Sequence, residues 1–218
     1  MTHHLRRGFR ASVVAASLLL ASTLSAQDGD PLSKLDTNNR YAFDLILDSA
    51  SAAGIPTRPL ISKALEGIAK KVDNKKIVDV VRLLFVRLKT VHSVLGGVDE
   101  QELYAGATLL EAGAKPAQLE LFRPRQKGRT DITAFIVWTD FLQRGIPNEE
   151  ASSAISKLWR DGVDDATFQS LWTNVKGDIS QGLNPGTALQ NRIRETPGRA
   201  SPQAPGKPPE GQENQSSR

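Results

Sequence analysis

The chain contains no cysteine. That excludes a disulfide framework, a thiol nucleophile, a zinc–thiolate site and lipid modification through sulfur. Histidine is almost as scarce, with three in 218 residues, and two of these are His3 and His4 at the extreme N-terminus. His92 is therefore the one histidine in the body of the chain, which excludes multi-histidine metal sites and a Ser–His–Asp arrangement with a base to spare. His92 falls on the shoulder of an apolar helix face, and its expected role is structural. There is no glycine-rich phosphate loop and no calcium-loop pattern. No stretch alternates with period two between turn signals, so no strand is expected.

Long apolar runs are also missing apart from one near the start. Arg6, Arg7 and Arg10 form a basic segment without an acid, Ala11 to Leu24 is apolar, and Ala26 follows as a small residue. The run is shorter than the roughly 20 residues that span a bilayer. Residues 1–26 are expected to be a cleaved signal peptide. The product would be periplasmic or secreted, and would not be an integral membrane protein after cleavage. Arg6-Arg7 also resembles a twin-arginine export signal, although Leu5 stands where Ser or Thr is usual. Of the 28 basic residues, three arginines leave with this segment, so 25 remain against 24 acidic residues. A nearly neutral mature chain does not call for nucleic acid as a partner.

What remains is patterned for helices. Ile77, Val80, Val81, Leu84, Phe85, Leu88 and Val91 follow the spacing of one helix face. Leu60, Ile61, Ala64, Leu65, Ile68 and Ala69 form a second stripe, and Phe168, Leu171, Trp172, Val175 and Ile179 a third. From Asp131 to Leu142 the apolar residues, Trp138 among them, point all round, as in a central helix. If one side of that helix is uncovered, it is a groove for a partner or ligand.

Helix ends carry a repeated signature of glycine, an apolar residue and proline. Gly54-Ile55-Pro56 and Gly145-Ile146-Pro147 share one form, and Gly113 to Pro116 and Gly182 to Pro185 a looser one. Glycine takes the left-handed cap, the apolar residue folds back, and proline prevents continuation. Thr57, Asn148 and Asn184 are the expected N-caps, and Asp99 with Glu102 has capping-box spacing. A shift of 91 residues superposes the first two signatures and also Val72-Asp73 on Val163-Asp164, together with a series of apolar positions. Such an internal repeat predicts two related halves.

The expected organisation is a polar leader at 27–39, a helical repeat domain at 40–195 with halves at 40–122 and 130–195, and a disordered Pro-rich tail at 196–218. The fold class is all-α, with about eight or nine helices in antiparallel hairpins, arranged as an α-solenoid or a compact bundle.

Catalytic equipment is sparse, and no catalytic, cofactor-binding or metal-binding residue is assigned. Glu66 is the one enzymatic candidate, as the acid of a cell-wall hydrolase, but no second carboxylate accompanies it in the sequence. Two basic clusters are candidate contacts for an anionic partner: Lys70, Lys71, Lys75 and Lys76, and the link residues Arg123, Arg125, Lys127 and Arg129. The partner would be an envelope protein or an anionic cell-wall polymer. A third possibility is a small apolar ligand held between helices near Trp138.

The segment Ala53-Gly54-Ile55-Pro56-Thr57-Arg58-Pro59-Leu60, continuing as Lys63-Ala64-Leu65-Glu66-Gly67-Ile68-Ala69-Lys70, resembles one in uncharacterised exported helical proteins of Gram-negative bacteria. That resemblance implies a helical fold and an exported location, and carries no activity or site residues with it. The expectation is a non-enzymatic interaction module of the cell envelope.

Overall fold

The computed structural model describes residues 30–123 and 131–196. The expected signal peptide at 1–26, the link residues Arg125, Lys127 and Arg129, and all but the first residue of the expected tail lie outside the described residues. Nine α-helices follow one another among the described residues, with no strand: α1 (Thr37–Ala52), α2 (Arg58–Ala69), α3 (Asn74–Leu95), α4 (Glu100–Glu111), α5 (Pro116–Leu119), α6 (Ile132–Gln143), α7 (Asn148–Arg160), α8 (Asp165–Ser180) and α9 (Pro185–Glu195). The fold is an all-α, compact helical bundle. None of these helices is long and apolar enough to cross a membrane.

Six of the helices end in the same way. The residue after the cap has positive φ at Gly54, Lys71, Gly113, Gly145, Gly162 and Gly182. The next amide reaches back five residues: Ile55 to Ala50, Val72 to Gly67, Ala114 to Leu109, Ile146 to Phe141, Val163 to Leu158 and Leu183 to Asp178. These are Schellman motifs, which satisfy carbonyls that a helix end leaves open. The glycine–proline signatures mark four of the six. The turns at Lys71-Val72 and Gly162-Val163 are the pair that the 91-residue shift superposes through Val-Asp.

Side-chain caps fit the expectations in part. Asn184 accepts from Gly186 and Thr187, and Asp99 accepts from Glu102 at 2.8 Å. Thr57 makes no side-chain cap, because its own backbone is already helical. Pro147 occupies the cap ahead of α7, so Asn148 becomes the first helical residue. Its amide Nδ2 instead donates to Gln118 at 2.9 Å and to the carbonyl of Gly113 at 3.3 Å, tying two turns together.

The polar leader is shorter than expected. Pro31–Lys34 form a 3-10 turn, Leu35 is buried, and Asp36 caps α1 by accepting from Asn38 and Asn39. Asn74 at the start of α3 donates to Asp36 at 3.2 Å. The expected start at Arg40 overlooked this cap because apolar periodicity is weak in the first turn.

In the first half, α3 packs on α1, α2 and α4; in the second, α6 packs on α4, α7 and α8. Helix α4 touches both α3 and α6, so the halves share one core. The repeat does not extend to packing. Helix α2 lies along α3, whereas its counterpart α7 lies mainly along α6, with α9 beside it.

The apolar stripes are corrected in three places. On α3, Val80 is 44% exposed and Phe85 only partly buried, while Val78 is buried. Neighbours on adjacent sides of α3 turn its buried arc toward Val78 and leave Val80 at the outer edge. On α2 only Leu60 and Ala64 of the six stripe residues are fully buried, since this helix lies at the margin. Trp172 is half-buried, although its counterpart Val81 is fully enclosed.

The junction is aromatic. Phe122, at the end of the first half, is fully buried against Phe135, Trp138 and Trp159, with centroids 5.1, 6.1 and 5.1 Å away. Such pairs add about 0.5–1.5 kcal/mol each beyond area burial. Beside them the Trp159 indole donates to Asp131 at 2.6 Å, and the Asp131 amide donates to Glu102 at 2.9 Å. Glu102 and Asp131 are both 2% exposed. Glu102 thus does not close a capping box; its carboxylate turns inward to the start of α6 instead.

Candidate functional site

Helix α6 is almost wholly enclosed, as its all-round apolar pattern predicts, but Ile136 is 56% exposed. The reason lies in its neighbours. Helices α4 and α8 flank α6 without meeting over it, and a groove of about 500 Å³ opens between them. Tyr104 and Ala105 of α4 form one wall, Ile132 and Ile136 the floor, and Trp172 of α8 the other wall. Trp138 itself is fully buried behind this surface and does not line it.

Trp172 is held rather than loose. Its indole N–H donates to Asp140 at 2.8 Å, and the Lys176 ammonium lies 4.5 Å from the ring centroid on a face of the indole. Asp140 is also paired with Arg144 one turn along α6. The Trp172 wall is thus fixed before anything binds, which lowers the ordering cost of binding. Thr139 lines the groove as well, and its buried hydroxyl has no hydrogen-bond partner.

A second, smaller cavity of about 280 Å³ adjoins the first, since Gln101 and Tyr104 line both. It is polar at its rim. Glu66 lines it, joined by Glu100, a carboxylate 34 positions further along the chain that sequence spacing gave no means to associate with it. Lys63 and Lys70 donate to Glu66 at 2.7 and 2.5 Å and hold its carboxyl at about 2, well below the ordinary 4.5. A general acid needs a raised pKa so that it carries a proton at working pH, and Glu66 is driven the opposite way. Glu100 pairs with Arg58 across 3.7 Å.

The basic residues are dispersed by these pairings. Lys70 binds Glu66, and Lys75 binds Asp79 at 2.7 Å. Lys71 and Lys76 are exposed on either side of the α2–α3 turn. Arg123 turns back to the last carbonyls of α3, donating to Val94 at 2.6 Å and Ser93 at 3.4 Å, where the helix dipole favours a cation. His92 is half-buried near the same helix end. Among the described residues no cluster of three or more His, Asp or Glu side chains could hold a metal ion.

The groove residues were only partly visible in the sequence. The encircling apolar pattern of α6 pointed to this helix, but Tyr104, Thr139 and Trp172 were not associated with it. Tyr104 and Trp172 come from distant positions in the chain and meet α6 only through packing, whereas Thr139 is a polar residue of α6 itself that the apolar pattern passed over.

Comparisons with models of known protein families, with curated proteins and with solved structures return no match.

Proposed function

We propose that this chain is an exported, non-enzymatic binding module of the cell envelope, with the groove over α6 as its working surface. One observation carries the reading: Ile136 lies exposed between two aromatic walls, on a helix whose other apolar residues are all buried or half-buried. With 56% of Ile136 in water, about 1–1.5 kcal/mol of burial is forgone, and a partner that covers it recovers that term. The groove has the size and apolar character of small-ligand sites. The ionised state of Glu66 weighs against the hydrolase alternative.

Titration of the full chain with N-phenyl-1-naphthylamine, a neutral apolar dye, tests the proposal. Saturable enhancement of dye emission is expected, with Ile136→Arg reducing affinity about tenfold or more by placing a charge on the floor. Absence of saturable binding, or binding indifferent to Ile136→Arg, would sink the reading.

A macromolecular contact at the basic residues is a second reading, supported by the exposure of Lys71 and Lys76 at the α2–α3 turn. Together with Lys70, Lys75, Arg123, Arg125, Lys127 and Arg129 they would face an anionic envelope protein or cell-wall polymer. Crosslinking in the native envelope, repeated with Lys71→Glu and Lys76→Glu, checks this: an unchanged set of crosslinked partners would remove it.

A further inference from the structure

Helix α3 leaves one long face uncovered. Its buried arc holds Ile77, Val81, Leu84, Leu88 and Val91. On the opposite arc Val80, Leu83 and Val86 are 44, 54 and 54% exposed. They stand three residues apart, so each is the neighbour of the next along the helix surface. Single exposed aliphatics are ordinary, whereas a row of three on one helix marks a surface that something covers.

The same arc is basic. Lys75, Lys76, Arg82 and Lys89 are exposed on it. Asp79 is its one acid, and it accepts from Lys75 at 2.7 Å and from Arg82 at 3.1 Å, so one carboxylate answers two cations. Arg87 is balanced by Glu111 of α4 at 3.2 Å. Among the described residues no acid pairs with Lys76 or Lys89.

A partner for this face must supply negative charge and an apolar phase together. A cell-wall polymer supplies charge but gains nothing from Val80, Leu83 and Val86. A second copy of the chain supplies apolar cover but brings the same surplus of cations against it. An anionic bilayer surface supplies both, with phosphates at headgroup level and acyl chains just beneath. Lysine stems can lie along the apolar row while their ammonium groups stay among the headgroups.

We infer that the open face of α3 docks on an anionic lipid surface, with Leu83 and Val86 at the acyl boundary and the four cations among the headgroups. The inference is independent of the groove over α6, which is built from α4, α6 and α8.

The absence of cysteine allows a single reporter to be placed on the face itself. The full chain with Val86→Cys, labelled with nitrobenzoxadiazole, is titrated with vesicles of phosphatidylglycerol and phosphatidylcholine, and with vesicles of phosphatidylcholine alone. Enhanced, blue-shifted emission is expected with the anionic vesicles, at an apparent affinity about tenfold or more above that for the neutral ones, and weakening as salt rises. Lys76→Glu with Lys89→Glu is expected to weaken binding about tenfold or more, and Leu83→Ser about fivefold. Leu83 faces water in the free chain, so the melting temperature of Leu83→Ser should stay close to the parent's, which separates lost docking from lost folding. An emission unmoved by anionic vesicles, equal responses to the two vesicle types, or an equal rise from the label at Ser170→Cys on α8 would overturn the inference. Binding indifferent to Leu83→Ser would overturn it too, and would leave a charge-only contact with a polymer. So would a dimer in vesicle-free solution that Leu83→Ser dissociates, since a second copy would then cover the face.

Discussion

Five of the six Schellman turns place glycine at positive φ, and the sixth places Lys71 there, at φ 55°. A side chain in the left-handed region brings Cβ against the carbonyl, at a cost of about 1–2 kcal/mol. Lys71→Gly removes this strain but also widens the unfolded ensemble, which returns about 0.4–1 kcal/mol of the gain. The exposed Lys71 side chain offers little to lose. Net stabilisation of about 0.5–1 kcal/mol is expected, raising the melting temperature by roughly 1–4 °C for a chain of this size. Gly145→Ala supplies the converse. Its φ is 81°, and a Cβ there meets nothing within 4 Å, so backbone strain acts without a clash. Destabilisation of about 1 kcal/mol is expected. Urea unfolding followed by circular dichroism measures both variants, with an unchanged m-value confirming that the midpoints report stability. A Lys71→Gly chain less stable than the parent would refute the reasoning. So would a Gly145→Ala chain of undiminished stability.

Three other outcomes are expected. Gly106→Ala would place a Cβ 2.8 Å from Val91 Cγ1 and 3.6 Å from Phe135, at the point where α4 bridges the halves; despite the better helix propensity, stability should fall by about 1–2 kcal/mol in the same urea assay. Trp159→Phe removes the donor that reaches Asp131 at 2.6 Å, and should cost about 2–3 kcal/mol by calorimetry because a buried carboxylate loses a bond. Thermal stability should also fall in acid. Hydrogen bonds from Lys63 and Lys70 hold Glu66 near 2, those from Asn39 hold Asp36 near 2, and Arg192 lowers Asp178. A carboxylate lowered in the folded state stabilises it above the ordinary value, and that contribution disappears as pH falls through the folded one. The melting temperature should therefore drop between about pH 4.5 and 2, more shallowly in Glu66→Gln than in the parent; identical slopes would remove Glu66 from the account.

Helix positions and turns were largely legible because their causes are local. The Gly–apolar–Pro signature predicts the ends of α1, α4, α6 and α8, and the structure closes each of them with the same five-residue hydrogen bond. The superposition of Val72-Asp73 on Val163-Asp164 predicts two matching turns, and both Asp73 and Asp164 cap the following helix through the amide three residues on. Thr57 holds the expected cap position but makes no side-chain bond because its backbone is helical, and the cap at Asn148 was misjudged because Pro147 takes that position. The leader was misjudged because Leu32 and Leu35 are its only large apolar residues, and periodicity needs several.

Sequence by itself determined that this chain is helical, where most of its helices stop, and that a stretch of its turns recurs at a fixed interval. Those properties depend on backbone conformation and on hydrogen bonds spanning five or six residues, so the residues responsible stand side by side. Tertiary structure alone decided that Phe122 enters the second half's aromatic cluster, that Glu102 and Asp131 are buried, that Glu100 joins Glu66, and that Ile136 and Trp172 border an open groove. Burial depends on which surfaces the other helices cover. An apolar face in sequence is a demand for cover, and only packing determines where that demand goes unmet.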